Sequence, residues 1–163
     1  VLPGRLDLAA GPPESAIGEA FLRRVRADAD DRITQVRAEG PAIRQLFKRL
    51  QDGGVVGILP DQQPKAGDGE FAPFFGKPAL TMVLLSRLAQ RTGATVLFAF
   101  AERLPRGAGY RLHILPAPPG IDDPDLPTAV AALNRGVEMC VRVAPAQYQW
   151  HYKRYSIRPP GET

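Results

Sequence analysis

The stretch that decides the fold reads VVGILPDQQPKAGDGEFAPFFGKPALT, Val55 to Thr81. The run Val55 to Leu59 ends on Pro60-Asp61-Gln62. A short unbroken apolar run closed by a turn signal is the pattern of a strand buried on both faces. Residues 62–70 are polar and glycine-bearing and read as a loop. Phe74-Phe75-Gly76 comes next, and Ala79 to Thr92 reads as a helix with Val83, Leu84 and Leu88 inward and Gly93 as its stop. A strand that ends on an acid carries functional weight, because ligands of open α/β sheets sit outside the carboxyl ends of the strands.

Upstream, residues 1–13 are broken by Pro and Gly and read as irregular. Glu14 to Ala27 places Ile17, Ala20, Phe21 and Val25 on one helical face, with Ser15 as N-cap. DADDR is a turn and Ile33 to Val36 a short strand. Pro41 to Gln51 is a second amphipathic helix with the stripe Ile43, Leu46, Phe47 and Leu50, started by Pro41 and stopped by Gly53-Gly54. Downstream, Ala94 to Glu102 has the strongest strand pattern in the chain. Leu104 to Gly109 is a turn, Tyr110 to Pro116 a returning strand, and Pro116 to Pro127 a Pro/Asp loop. Leu126 to Val143 is a long helix with Val130, Leu133, Val137, Cys140 and Val141 facing a core. Pro145 breaks it, and the tail QYQWHYKRYSIRPPG is aromatic and basic. Helices alternate with buried strands, so the expected class is α/β, a mostly parallel sheet flanked by helices.

The 163 residues suit a single α/β domain, residues 1–163. A net charge of +4 and a pI of about 9.6 suit an anionic partner: nucleic acid, phospholipid headgroups or a phosphorylated small molecule. The one cysteine, Cys140, excludes an internal disulfide and any Cys-cluster metal site. Its apolar setting, VEMCVRV, reads as a buried structural thiol, and the expected compartment is reducing. No metal site and no cofactor are expected. No apolar run reaches the length of a membrane-spanning helix. The start, VLPGRLDLAAGPP, has neither the initiator Met nor the pattern of a signal peptide and reads as the interior of a longer protein.

Several residues could carry chemistry. From position alone Asp61 is as readily a loop cap as a carboxylate orienting a substrate or a basic partner. Phe74 and Phe75 are either a hydrophobic plug or the apolar wall of a ligand pocket, with Gly76 allowing close backbone approach. Arg23, Arg24, Arg26 and Arg32 either hold phosphate through their planar forks or form a solvated face. The tail mixes Lys153, Arg154 and Arg158 with Trp150, Tyr152 and Tyr155. That mixture suits a nucleic acid or a membrane interface, or a segment that packs its rings while its cations stay wet. Neither histidine, His113 or His151, has a carboxylate at helical spacing. There is no GxSxG, Walker loop or HExxH.

The order of these blocks is more specific than any one of them. VVGILPDQ, FAPFFGKPALT, SRLAQRTGATV, AERLPRGAGYRLHILP and LNRGVEMCVRVAPAQYQWHYKRYSIRPPG together resemble the C-terminal portion of the bacterial lipid A biosynthesis acyltransferases, the lauroyl/myristoyl transferases of lipopolysaccharide assembly. The resemblance runs from about Ala42 to Gly161. It implies the α/β fold of glycerolipid acyltransferases. It implies transfer of an acyl chain from acyl carrier protein to a hydroxyl of a lipid A precursor, on the cytoplasmic face of the bacterial inner membrane. It implies a His–acid pair, HxxxxD/E, with the His as general base, and this sequence contains no such spacing. The chain alone is therefore expected to be inactive.

By the resemblance, Asp61 belongs to the catalytic polar network with Gln62 beside it. Phe74, Phe75, Gly76 and Thr81 shape the acyl channel and the turn. Arg26 matches a phosphate-binding arginine in a stretch where Arg24 and Arg32 compete for the register, and Arg103 matches a basic position. Tyr148, Trp150 and Arg154 take a structural or interfacial role. The implied partners are acyl carrier protein, the lipid A precursor and a membrane surface, with no nucleic acid. The rival reading is a non-catalytic basic module that binds anionic lipid or nucleic acid.

Overall fold

Short connections settle the topology of most of this chain. Phe74 and Lys77 pair across the two residues Phe75-Gly76, and Arg103 pairs with Tyr110 across a six-residue loop. Connections this short permit only antiparallel neighbours, since a parallel crossover needs a dozen residues or more. The computed structural model describes residues 6–10, 33–37 and 41–161, and the chain divides into two compact units, Val1–Leu59 and Pro60–Thr163.

In the first unit β1 (Leu6–Ala10) lies between β2 (Ile33–Arg37) and β3 (Val55–Ile58), all parallel. β1 falls where the Pro/Gly-broken start suggests irregular chain. Helix α1 (Pro41–Gln51) has its expected bounds and fully buries Leu46. It ends because Gly53 takes a left-handed φ of 76°, which lets the Gly54 N–H reach back to the Arg49 carbonyl at 2.8 Å. β3 is not sealed on both faces: Val55 is exposed and Val56 to Ile58 are half-buried.

The second unit is built on two antiparallel hairpins and a long helix. Strands β4 (Gly69–Phe74) and β5 (Lys77–Met82) form the first hairpin, and α2 (Leu84–Thr92) comes after it. Strands β6 (Leu97–Arg103) and β7 (Tyr110–Pro116) form the second, with a 3-10 turn at Pro105–Gly107. Helix α3 (Leu126–Val143) has its expected bounds. Asp125 caps it, its Oδ2 accepting from the Thr128 N–H at 3.1 Å. A second 3-10 turn, Pro145–Gln147, leads into the tail.

The expectation of a mostly parallel, glycerolipid-acyltransferase-like sheet is overturned. Four of the seven described strands pair only antiparallel, in two separate two-stranded sheets. Parallel pairing is confined to the three short strands of the first unit. The discrepancy has a local cause. The sequence pattern ends its loop at residue 70 and starts its helix at Ala79, with no strand between, whereas Phe75-Gly76 is the turn of a hairpin and the helix starts only at Leu84. Phe75 has φ 48° and Gly76 φ 76°, the consecutive positive values of a primed two-residue turn.

The core of the second unit is formed by Phe74, Ala79, Phe98, Ile121, Ala132, Leu133, Val137 and Val141. Each buried Leu, Val or Phe side chain is worth roughly 1.5–3 kcal/mol against exposure. Gly136 sets the approach of α3 to β6, because a Cβ there would collide with the Phe98 ring. Cys140 is half-buried beside this core, and burial pushes its thiol above the ordinary value, which keeps it protonated and inert.

Candidate functional site

The tail does not keep all its cations wet. Arg154 is 4% exposed, buried within the second unit beside Thr81 and Asn134, both at 0%. Its Nη1 donates to the Leu80 carbonyl at 3.1 Å. Its Nη2 donates to Thr81 Oγ1 at 3.3 Å and to Asn134 Oδ1 at 3.1 Å. Asn134 Nδ2 donates to Thr81 Oγ1 at 3.0 Å and to the Ala72 carbonyl at 3.3 Å. The guanidinium also lies over the Phe74 ring, 5.1 Å from its centroid. One arginine thus ties β4, β5, α3 and the tail together, and its planar fork permits that many directed bonds at once.

The aromatic residues of the tail close over the same place. The Phe74 ring lies 6.2 Å from Tyr148 and 6.1 Å from Tyr155, while Tyr155 Oη donates to the Phe74 carbonyl at 2.7 Å. Phe75 lies 5.6 Å from Trp150 and under Arg142, whose guanidinium carbon is 5.2 Å from the ring centroid. The Phe75 N–H donates to Glu138 Oε1 at 2.7 Å, which satisfies the backbone at the strained turn. A pocket of about 200 Å³ opens here, lined by Phe74, Tyr148, Trp150, Lys153, Arg154, Tyr155 and Ser156.

Asp61 lies in the turn after β3, half-buried, at the start of the second unit. Its charge acts on two groups of the tail. Burial pushes the Tyr148 phenol up to about 12, with Asp61 adding to the rise and Arg154 opposing it. Burial lowers the Arg154 guanidinium, while Tyr148, Asp61 and Tyr155 draw it back. Tyr148 Oη and Arg154 Nε are buried without a protein partner.

The structure gathers Phe74 and Thr81 around Arg154, with Phe75 and Gly76 at the adjoining turn; Asp61 acts on Arg154 through its charge, and Gln62 is next to it in sequence. Thr81 serves the buried network, and Phe74 is 1% exposed in the core. Arg103 is not part of this group: its side chain is exposed, and its backbone exchanges two hydrogen bonds with the Gln147 carboxamide, at 2.8 and 3.0 Å. Arg26, with Arg23, Arg24 and Arg32, falls outside the described residues.

Two features escape a reading of the sequence. Asn134 interrupts the apolar face of α3 between Leu133 and Val137, and a polar residue on a buried stripe is a signal that it has a buried partner. His113 does have an acid: its Nε2 lies 2.8 Å from Glu102 Oε2, across β6 and β7, with its ring stacked on Phe100 at 4.7 Å. A search for helical spacing does not find a pair made across strands. Neither residue lines the pocket. Among the described residues no group of three or more His, Cys, Asp or Glu is placed to hold a metal ion, and no helix is long and apolar enough to cross a membrane.

The family model described as bacterial lipid A biosynthesis acyltransferase matches residues 19–156, which takes in every residue of this cluster. The chain belongs to that family. It is 34% identical over 122 residues to the lipid A biosynthesis lauroyltransferase of Escherichia coli (strain K12), covering 73% of this chain and 39% of that protein. The palmitoleoyltransferase of the same organism is 34% identical over 125 residues, 74% of this chain and 40% of that protein. Its myristoyltransferase is 30% identical over 130 residues, 78% and 40% respectively. The chain of this lipid A acyltransferase family member thus aligns with about two fifths of the length of these relatives.

Proposed function

We propose that the native protein carrying this chain transfers a fatty acyl group from acyl carrier protein to a hydroxyl of a lipid A precursor, at the cytoplasmic face of the bacterial inner membrane. The observation that carries the reading is the family match over residues 19–156, a span that contains the half-buried Asp61. The names of the relatives supply the acyl transfer and the lipid A pathway. Family membership favours the transferase over the basic binding module.

In this reading Asp61 is the polar anchor of the acceptor side. Its carboxylate holds a substrate hydroxyl or orients the group that takes the hydroxyl proton. Phe75 and Trp150 offer apolar surface to an acyl chain, in keeping with the mostly apolar walls of ligand pockets. Arg103, Arg106 and Arg111 at the exposed end of the second hairpin add positive field toward two anionic partners, the carrier protein and the phosphorylated lipid. The hydroxyl remains a poor nucleophile without a base. With no HxxxxD/E spacing in this sequence, the chain by itself is inactive and the base comes from outside it.

The test is acyl transfer by two preparations, the native protein from its source cells and this 163-residue chain. Each is given acyl carrier protein loaded with fatty acid and a phosphorylated lipid A precursor. Transfer by the native protein alone supports the proposal. Transfer by neither removes the enzyme reading, and transfer by the isolated chain removes the need for an outside base.

A further inference from the structure

The turn that carries Asp61 is fastened to the tail by a side chain that the sequence does not mark out. Gln63 is half-buried two residues beyond Asp61. With its amide nitrogen toward the tail, it donates to the Lys153 carbonyl at 2.7 Å and the Arg154 carbonyl at 3.2 Å, and it meets Ser156 Oγ at 3.1 Å. The tail segment it grips is itself fixed. Arg154 is held by Leu80, Thr81 and Asn134, and Tyr155 by the Phe74 carbonyl. Lys153, at the grip point, has φ 42°, a left-handed value that a lysine adopts only when its surroundings impose it.

We propose that Gln63 is a positioning residue for Asp61: it latches the Pro60–Gln63 turn to the tail segment that the buried Arg154 anchors. The tail then works as part of the acceptor site rather than as an interfacial segment. The geometry has three parts. The Gln63 contacts are to main-chain carbonyls, so they fix the path of the tail whatever its side chains are. Arg154 is anchored on Leu80, Thr81 and Asn134 and lies over the Phe74 ring, so the segment that Gln63 grips is tied to β4, β5 and α3. Thr81 and Asn134 use all their bonds on one another, on Arg154 and on main-chain carbonyls, which leaves the guanidinium a single stable pose.

The catalytic part of this proposal rests on the acyltransferase reading, so the test has two arms. In the chain itself, amide hydrogen exchange is followed across residues 61–63 in wild type and Gln63→Ala. Exchange there should quicken about tenfold in the variant, with the midpoint of thermal unfolding nearly unchanged. Unchanged exchange overturns the latch, whatever the enzyme does. In the native protein, Gln63→Ala and Arg154→Met should each lower kcat about tenfold or more with KM within about twofold, and Arg154→Lys should restore part of the loss. Combining Arg154→Met with Asp61→Asn should be no slower than Asp61→Asn alone. Losses that multiply in the double variant, or a kcat of wild-type size in Gln63→Ala, overturn the positioning role. Should Arg154→Met fail to fold, Gln63→Ala decides alone. A wild-type protein without acyl transfer breaks the functional reading, while the exchange arm still decides the latch.

Discussion

The two hairpins of the second unit have the same topology and opposite finishes. In β4–β5 the polar heart is closed: Thr81, Asn134 and Arg154 Nη2 bond one another, and the tail covers them. In β6–β7 one face packs inward through Phe98 and Leu115. The other is bare, with Leu97 at 58%, Leu112 at 65%, Ile114 at 58% and Tyr110 at 72% exposure. The register Leu97↔Pro116, Ala99↔Ile114, Ala101↔Leu112 puts these residues on a single apolar surface. The difference lies in how the downstream chain is used. A long helix and an aromatic tail fold back on the first hairpin, and Gln147 at the head of that tail grips the Arg103 backbone of the second.

Breaking the closed hairpin should cost most. Asn134→Leu removes the shared partner of Thr81, Arg154 and the Ala72 carbonyl, and leaves a buried cation short of an acceptor. Chemical denaturation should show a loss of about 3 kcal/mol. Gly136→Val tests the one tight contact that supports the second hairpin, since its side chain must displace the Phe98 ring. About 2 kcal/mol is expected, read the same way. Gly76→Ala strains the turn of the first hairpin at its left-handed second position and should lower stability by about 1 kcal/mol. Leu112→Thr on the bare face should change stability by no more than about 0.5 kcal/mol. A large effect there would mean the surface is covered in solution and would erase the contrast.

The phenols sharpen the comparison through pH. A phenol whose folded value is raised contributes stability that is whole below its ordinary value of 10.0 and is lost as pH climbs toward the folded value. With Tyr148 pushed up to about 12, the second unit should lose stability between about pH 10 and 12. Tyr148→Phe should flatten that decline in part, because Tyr155 is raised as well. At neutral pH the same variant should be near neutral in stability, since the hydroxyl has no protein partner to lose.

Much of the helical layer is legible in the sequence. The bounds of α1 and α3 follow from Pro41 and Gly53, and from the Pro/Asp loop and the Pro145 break, all of which act locally. β7 is legible for the same reason, since turn signals flank it. The first hairpin is not. Phe75 is an unusual residue for a left-handed turn position, and it persists there because Glu138 takes its N–H and Trp150 and Arg142 hold its ring, contacts that come from well over a helix length away in the chain. Asp61 stands out by its place after a strand. The buried network does not, because Arg154, Asn134 and Thr81 meet one another only through tertiary folding. A basic, aromatic tail reads as solvent-facing or interfacial, and nothing local says that one of its cations is buried.

The central claim is that Asp61 serves acyl transfer. The direct measurement is the rate of acyl transfer by the native protein, wild type against Asp61→Asn, with thermal unfolding recorded on both. The account predicts a loss of about a hundredfold or more in kcat with an unchanged unfolding midpoint. A wild-type rate in Asp61→Asn would make the residue a loop cap and contradict the account.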